Sequence, residues 1–148
     1  MNRVPLVKDM LVKTLLNAKK HQGVESLSLD NTIKEAAQFM RTKRISSVVV
    51  RQDQKPVGII TERDLSNSLA TYDNPGPIPL SKIMTPWAKV KTVSLGATVG
   101  DAEKEMIALG VRHMPVSDES DNLVGMLSQR DINDAFYKNE ELIASQAQ

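Results

Sequence analysis

Apolar positions along the chain switch from helical spacing to alternation and back, and they do so twice. Behind Pro5, Val7, Met10, Leu11, Leu15 and Ala18 recur at helical spacing and predict an opening helix, since proline is accepted in a first turn. A short apolar segment over residues 24–29 follows and ends at Asp30-Asn31-Thr32. Thr32 with Glu35 reads as a capping box, and Ile33, Ala36, Ala37 and Met40 form one apolar face behind it. Residues 46–50 are rich in β-branched side chains and predict a strand. A turn over 53–56 leads to a strand over 57–60, and a helix starts near Thr61 and runs towards Ala70. The unit reads strand, helix, strand, strand, helix.

The order then recurs. A strand is expected over 90–95, and Thr98 caps a helix that turns Val99, Ala102 and Met106 inward. Strands over 114–116 and 123–127 form a hairpin, and a last helix begins near Ser128 with Ile132, Ala135 and Phe136 as its buried face. Three prolines and a glycine mark residues 72–79 as the connection between copies. The expected division is a first repeat with its N-terminal helix over 1–74, the end of the linker over 75–79, a second repeat over 80–143 and a flexible tail over 144–148.

The copies can be laid on one another residue by residue. At an offset of 66, Thr32 falls on Thr98, Ala36 on Ala102, Met40 on Met106 and Val50 on Val116. At 67, Val57 falls on Val124 and Gly58-Ile59-Ile60-Thr61-Glu62-Arg63-Asp64 on Gly125-Met126-Leu127-Ser128-Gln129-Arg130-Asp131. The one-residue slip lies in turn chemistry, which tolerates it. The segment Pro79-Leu80-Ser81-Lys82-Ile83-Met84 matches Pro5-Leu6-Val7-Lys8-Asp9-Met10 at 74, so the first copy is expected to carry eight extra residues there. One sheet face per copy needs cover, and packing the sheets together supplies it. The expected fold is therefore α+β, with two β-α-β-β-α repeats packed sheet to sheet about a pseudo-two-fold axis.

Composition narrows the chemistry. A chain of 148 residues suits one domain or two small halves. No apolar run reaches the ~20 residues of a membrane span, and the N-terminus lacks the pattern of a secretory signal. There is no cysteine, which removes disulfides, thiolate catalysis and sulfur-ligated metal and fits a cytoplasmic protein. Net charge is +1, which argues against nucleic acid as a partner. Residues 1–74 carry +4 and residues 75–148 carry −3. Ordinary surface variation accounts for this, and a positive patch for an anionic ligand is the alternative.

The repeated phrase has two readings. Thr61 to Asp64 and Ser128 to Asp131 have capping-box spacing, and a cap alone is worth about 1 kcal/mol. The other reading is a nucleotide site. Gly58 and Gly125 let a backbone or ligand come close. A helix N-terminus and the hydroxyl of Thr61 or Ser128 favour phosphate, and Arg63 or Arg130 adds a charge-assisted bond. Asp64 or Asp131 can accept both hydroxyls of a ribose.

With this doubled phrase on a strand–helix–strand–strand–helix unit, the chain resembles the cystathionine β-synthase (CBS) domain, two in tandem forming a Bateman module. Residues Pro79-Leu80-Ser81-Lys82-Ile83-Met84-Thr85-Pro86 resemble the family's usual opening of a copy. The resemblance implies a stand-alone regulatory module that binds AMP, ADP, ATP, S-adenosylmethionine or NAD between its repeats and pairs as a disc-shaped dimer. It implies one site built from Thr61, Arg63 and Asp64 with backbone around Val111 and Arg112, and another from Ser128, Arg130 and Asp131 with backbone around Ile45 and Ser46. Further ligand contacts are implied over Lys20 to Val24 and over Pro86 to Val90. The nucleotide would be a regulatory ligand and not a cofactor, and the partners a second copy and a regulated enzyme or transporter. A ligand-free dimerisation scaffold and a nucleic-acid-binding role for the basic first half are the alternatives.

The remaining chemistry-bearing residues are few. His21 and His113 are the two histidines, and no further ligands at metal-site spacing accompany them. His113, beside Arg112, either lines a phosphate pocket or sits at the surface. Trp87 reads as a core plug in preference to a stacking face for a base. Arg41-Lys43-Arg44 reads as a solvated helix end. No nucleophile with a base, P-loop or dinucleotide fingerprint is present, so no catalytic residue is expected.

Overall fold

The computed structural model describes residues 6–19 and 23–146, so Pro5, Lys20, His21 and the last two residues lie outside it. In chain order the described residues form α1 (Val12–Asn17), β1 (Ser26–Ser28), α2 (Ile33–Lys43), β2 (Ser47–Gln52), β3 (Lys55–Thr61), α3 (Glu62–Thr71), β4 (Thr85–Pro86), β5 (Val93–Ser94), α4 (Val99–Leu109), β6 (His113–Ser117), β7 (Leu123–Ser128) and α5 (Gln129–Gln146). Short 3-10 turns lie at Val7–Asp9, Leu80–Lys82 and Trp87–Lys89. The class is α+β, with one four-stranded and one three-stranded sheet. No helix among the described residues is long and apolar enough to cross a membrane.

The chain divides into two compact units, and the division is not at the linker. One unit is Val24–Val90. The other joins Met1–Gly23 to Lys91–Gln148. Each unit therefore takes the segment that precedes the other copy's first strand.

In the Val24–Val90 unit the strand order is β1-β2-β3-β4, the first pair parallel and the others antiparallel. Asp53 and Gln54, at φ 50° and 68°, turn β2 into β3, the double left-handed geometry that tight hairpins require. Thr32 caps α2: Glu35 N–H donates to Thr32 Oγ1 (3.2 Å) and Thr32 N–H to Glu35 Oε1 (3.1 Å). Ile33, Ala36 and Met40 are buried with Val48, Val50, Ile60 and Leu80. Ala37, expected on the same face, is exposed, because it falls one position outside the buried stripe of i, i+3 and i+7.

In the other unit the order is β5-β6-β7, parallel then antiparallel. Val99, Ala102 and Met106 of α4 are buried with Val7, Val12 and Leu15 from the N-terminal segment and with Ile132 of α5. Ala135 packs on this core, but Phe136 is 37% exposed. Helix α5 runs from Gln129 to Gln146.

The opening helix is broken in two. Met10 and Leu11 are extended because their backbone is bound at the start of α4. Val12 N–H donates to Ala97 O (2.8 Å), Lys13 N–H to Leu95 O (3.1 Å), and Val99 N–H to Met10 O (2.8 Å). The same three bonds occur in the other unit: Leu80 N–H to Asn31 O (2.8 Å), Ser81 N–H to Leu29 O (3.2 Å), and Ile33 N–H to Ile78 O (2.9 Å). Met10–Lys13 thus correspond to residues 78–81 at an offset of 68, not 74. The first copy carries two extra residues there instead of eight.

Candidate functional site

Each unit presents its repeated phrase where a strand runs directly into a helix. In the Val24–Val90 unit, β3 ends at Thr61, the N-cap of α3. Thr61 N–H donates to Asp64 Oδ2 (2.8 Å) and its hydroxyl donates to the same oxygen (3.2 Å). Glu62 N–H donates to Ser46 O (3.1 Å), which brings Ser46 to the start of α3. Ile45 sits behind it, partly buried on the core, with its N–H on Met40 O (3.0 Å). Arg63 is exposed on the first turn of α3. Val24 precedes β1, Pro86 lies opposite Gly58 in β4, and Val90 closes the turn by donating to Trp87 O (3.0 Å). Trp87 is half-buried on that turn and stands outside the core cluster. The expectation of a core plug fails because a three-residue 3-10 turn carries Trp87 at the rim of the sheet.

The other unit repeats the geometry with different side chains. Ser128 N–H donates to Asp131 Oδ2 (2.9 Å) and Asp131 N–H to Ser128 Oγ (3.1 Å). Gln129 N–H donates to Arg112 O (2.9 Å), the counterpart of the Glu62–Ser46 bond. His113 faces Ser128 across the β6–β7 ladder and is half-buried. Val111 and Arg112 are exposed just before β6, and Arg130 is exposed on α5.

The capping reading is therefore satisfied at both phrases, through one carboxylate oxygen in each. An ionised carboxylate has about four acceptor positions on two oxygens. Capping through Oδ2 leaves both half-buried aspartates able to accept further donors. The glycines are explained more locally. A Cβ on Gly58 would stand 2.5 Å from Met84 Sδ and 2.9 Å from Thr85 O, and one on Gly125 would stand 2.6 Å from Leu16 Cδ2. The close neighbour at each glycine is thus a segment of its own unit.

One site residue escaped the sequence reading. Lys19 Nζ lies 2.9 Å from Asp131 Oδ2 and donates to Met126 O (2.6 Å), with both side chains about four-fifths buried. The sequence pointed to Lys20, which lies outside the described residues. No sequence signal marks Lys19: the offset of 68 that sets it opposite Trp87 comes from the backbone bonds of the two opening segments. This ammonium also acts on His113, whose pKa lies below the ordinary 6.5. Burial is the main cause; Asp131 opposes it, and Lys19 and Arg112 reinforce it. Among the described residues no group of three or more His, Asp or Glu side chains is placed to hold a metal.

The site groups thus fall as Ser46, Thr61 and Asp64 in one unit, and Lys19, Arg112, His113, Ser128 and Asp131 in the other. The first is rich in hydroxyls, the second in charge.

Comparison with known proteins bears on the family and the fold. The family model described as the CBS domain matches residues 20–71 and 80–138. An uncharacterized protein of Methanopyrus kandleri is 37% identical over 103 residues, 68% of this chain and 52% of that protein. A CBS domain pair solved in complex with 5-methylthioadenosine and S-adenosyl-L-methionine is similar at a TM-score of 0.74 and 26% identity, over 86% of this chain and 99% of that one. A CBS domain protein of Pyrobaculum aerophilum complexed with AMP is similar at a TM-score of 0.69 and 27% identity, over 82% and 89%. The matches span 52% and 60% of the length of the first two curated relatives. With both repeats matched, and each closing on the same glycine-to-aspartate phrase, the chain belongs to the CBS domain family.

Proposed function

We propose that this protein is a regulatory module whose ligand is an adenosine-containing nucleotide, with Asp64 and Asp131 accepting ribose hydroxyls. The observation that carries the reading is the duplicated aspartate. It sits partly buried in the first turn of α3 and again of α5, three residues after a hydroxyl residue at the end of a strand. The complexes of similar CBS pairs with AMP, S-adenosyl-L-methionine and 5-methylthioadenosine support the same ligand class. Ligand binding acts by differential affinity for two conformations, which a regulated enzyme or transporter reads. A second copy of the chain is the expected structural partner: Leu69 on α3 is 72% exposed and Tyr137 on α5 65% exposed, beside Phe136.

Titration calorimetry with AMP, ADP, ATP, S-adenosylmethionine and NAD tests the reading. Asp64→Ala and Asp131→Ala are each expected to weaken or abolish binding at one site by about tenfold or more, the worth of hydrogen bonds to a charged acceptor. Unaltered binding in both variants refutes the assignment. A scaffold without ligand would show no nucleotide-dependent rise in Tm, whereas a ligand at 100 times its Kd adds about 2.7 kcal/mol.

A further inference from the structure

The unit built on α4, β6 and β7 has an open cavity that the nucleotide reading does not use. Its volume is about 450 Å³, within the range of about 300–1,000 Å³ that small-molecule sites occupy. The opening segment lines it with Leu11 and Lys13, the end of β5 with residues 94–96, and the β6–β7 turn with residues 118–120. All of these belong to one compact unit. Strand β7 runs from this turn, at Leu123, to the repeated phrase at Ser128. At about 3.4 Å per residue, the length of the strand separates the cavity from Asp131. The walls are fixed by hydrogen bonds. Val12 N–H donates to Ala97 O (2.8 Å) and Lys13 N–H to Leu95 O (3.1 Å). In the turn, Asp118 Oδ1 accepts the N–H groups of Ser120 and Asn122 (2.9 Å each), and Asp118 Oδ2 accepts the Asn122 side-chain amide (3.3 Å).

We propose that this cavity is a second ligand site, for a free α-amino acid with an apolar side chain. Lys13 takes its carboxylate, Glu119 its ammonium, and Leu11 and Leu95 its side chain. The reason is what the cavity leaves unmatched. The Asp118 carboxylate is committed to the turn, while Lys13 and Glu119 line the same cavity and neither forms an ion pair among the described residues. Opposite charges that share a cavity without meeting suit a ligand that carries both. Backbone bonds hold Leu11 45% exposed beside them, an apolar surface that a ligand side chain covers. Ser94 Oγ accepts the Gly96 N–H (3.1 Å) and keeps its own proton to donate. The fold itself does not demand these groups. In the Val24–Val90 unit the same backbone bonds carry Pro79 and Ser81 where Leu11 and Lys13 stand. There the strands are joined by Asp53 and Gln54 alone, where residues 118–122 join β6 to β7. Ion pairs at exposed positions are individually weak, so the expected Kd is about 1 mM.

The test is NMR titration of the full chain, following backbone amide shifts with three probes. L-leucine carries both charges, 4-methylpentanoate lacks the ammonium, and isoamylamine lacks the carboxylate. L-leucine is expected to shift the amides of Lys13, Leu95, Gly96, Glu119 and Ser120 saturably, and to bind about threefold or more tighter than either analogue. Lys13→Met and Glu119→Gln, both at exposed positions, are each expected to bring L-leucine down to the level of the analogues while the other amide shifts stay in place. No saturable shift at these amides up to about 20 mM L-leucine overturns the proposal. So do equal affinities for the three probes, unaltered L-leucine binding in both variants, or displacement of L-leucine by AMP. None of these results touches the nucleotide reading, which rests on the opposite end of β7.

Discussion

Asp131 and Asp64 each cap a helix through one carboxylate oxygen. Their difference lies in what surrounds them, and His113 reports it. Burial, the largest influence, pushes its pKa below 6.5, and Lys19 and Arg112 push the same way against Asp131. The unfolded chain takes the proton near 6.5, while the folded chain resists it to lower pH. The stability at stake is fully present above pH 6.5 and is lost as pH falls through the folded-state value. His113→Gln removes this contribution. Its Tm is expected to fall less than that of the unsubstituted chain between about pH 7.5 and about pH 5, as thermal melts across that window would show. An equal fall in both proteins would mean that His113 is not the titrating group.

At the scale of elements, the glycines of the repeated phrase record how each sheet edge is finished. A Cβ added at Gly58 would meet Thr85 O at 2.9 Å, a carbonyl fixed in β4, together with Met84. At Gly125 it would meet the side chain of Leu16 on α1. Side chains rotate away more cheaply than a strand backbone moves. Overpacking of this kind costs about 1–3 kcal/mol, so Gly58→Ala is expected near the upper end and Gly125→Ala near the lower. Urea unfolding of the two variants gives the order directly; a larger loss for Gly125→Ala would contradict it. The same logic explains the split in the opening helix. Its apolar spacing is helical, yet three backbone bonds to the start of α4 hold Met10 and Leu11 extended.

At the scale of the whole molecule, the connection between repeats is not the boundary between compact units. Val7, Val12 and Leu15 lie in the core that holds Val99, Met106 and Leu127, while Leu80 lies in the core of Ile33, Met40 and Ile60. Burying one such side chain stabilises by about 1.5–3 kcal/mol. Removal of residues 1–19 is therefore expected to destabilise the unit built on α4, β6 and β7, although those elements belong to the other repeat. Amide hydrogen exchange is the measurement. Protection in α4 and β6 should drop well before that in α2 and β2; faster exchange in α2 and β2 instead would show that the segment serves the repeat it adjoins in sequence.

Whatever depends on neighbours along the chain is legible in the sequence by itself. The doubled strand–helix–strand–strand–helix order, the Thr32 cap, the inward faces of α2 and α4 and the capping spacing of both phrases all follow from periodicity and side-chain reach. Ala37 and Phe136 depart from their expected places because periodicity locates a stripe to within one residue, whereas packing decides its rim. Apolar spacing states that a face will be covered and leaves open by what. Only tertiary structure decided that the segment before each sheet joins the other copy's unit, that Met84 and Leu16 fill the space at the glycines, and that Lys19 reaches Met126 across 107 positions to hold Asp131. Those partners are chosen by chain reach and by competition among many apolar and charged groups in space, which no local pattern encodes.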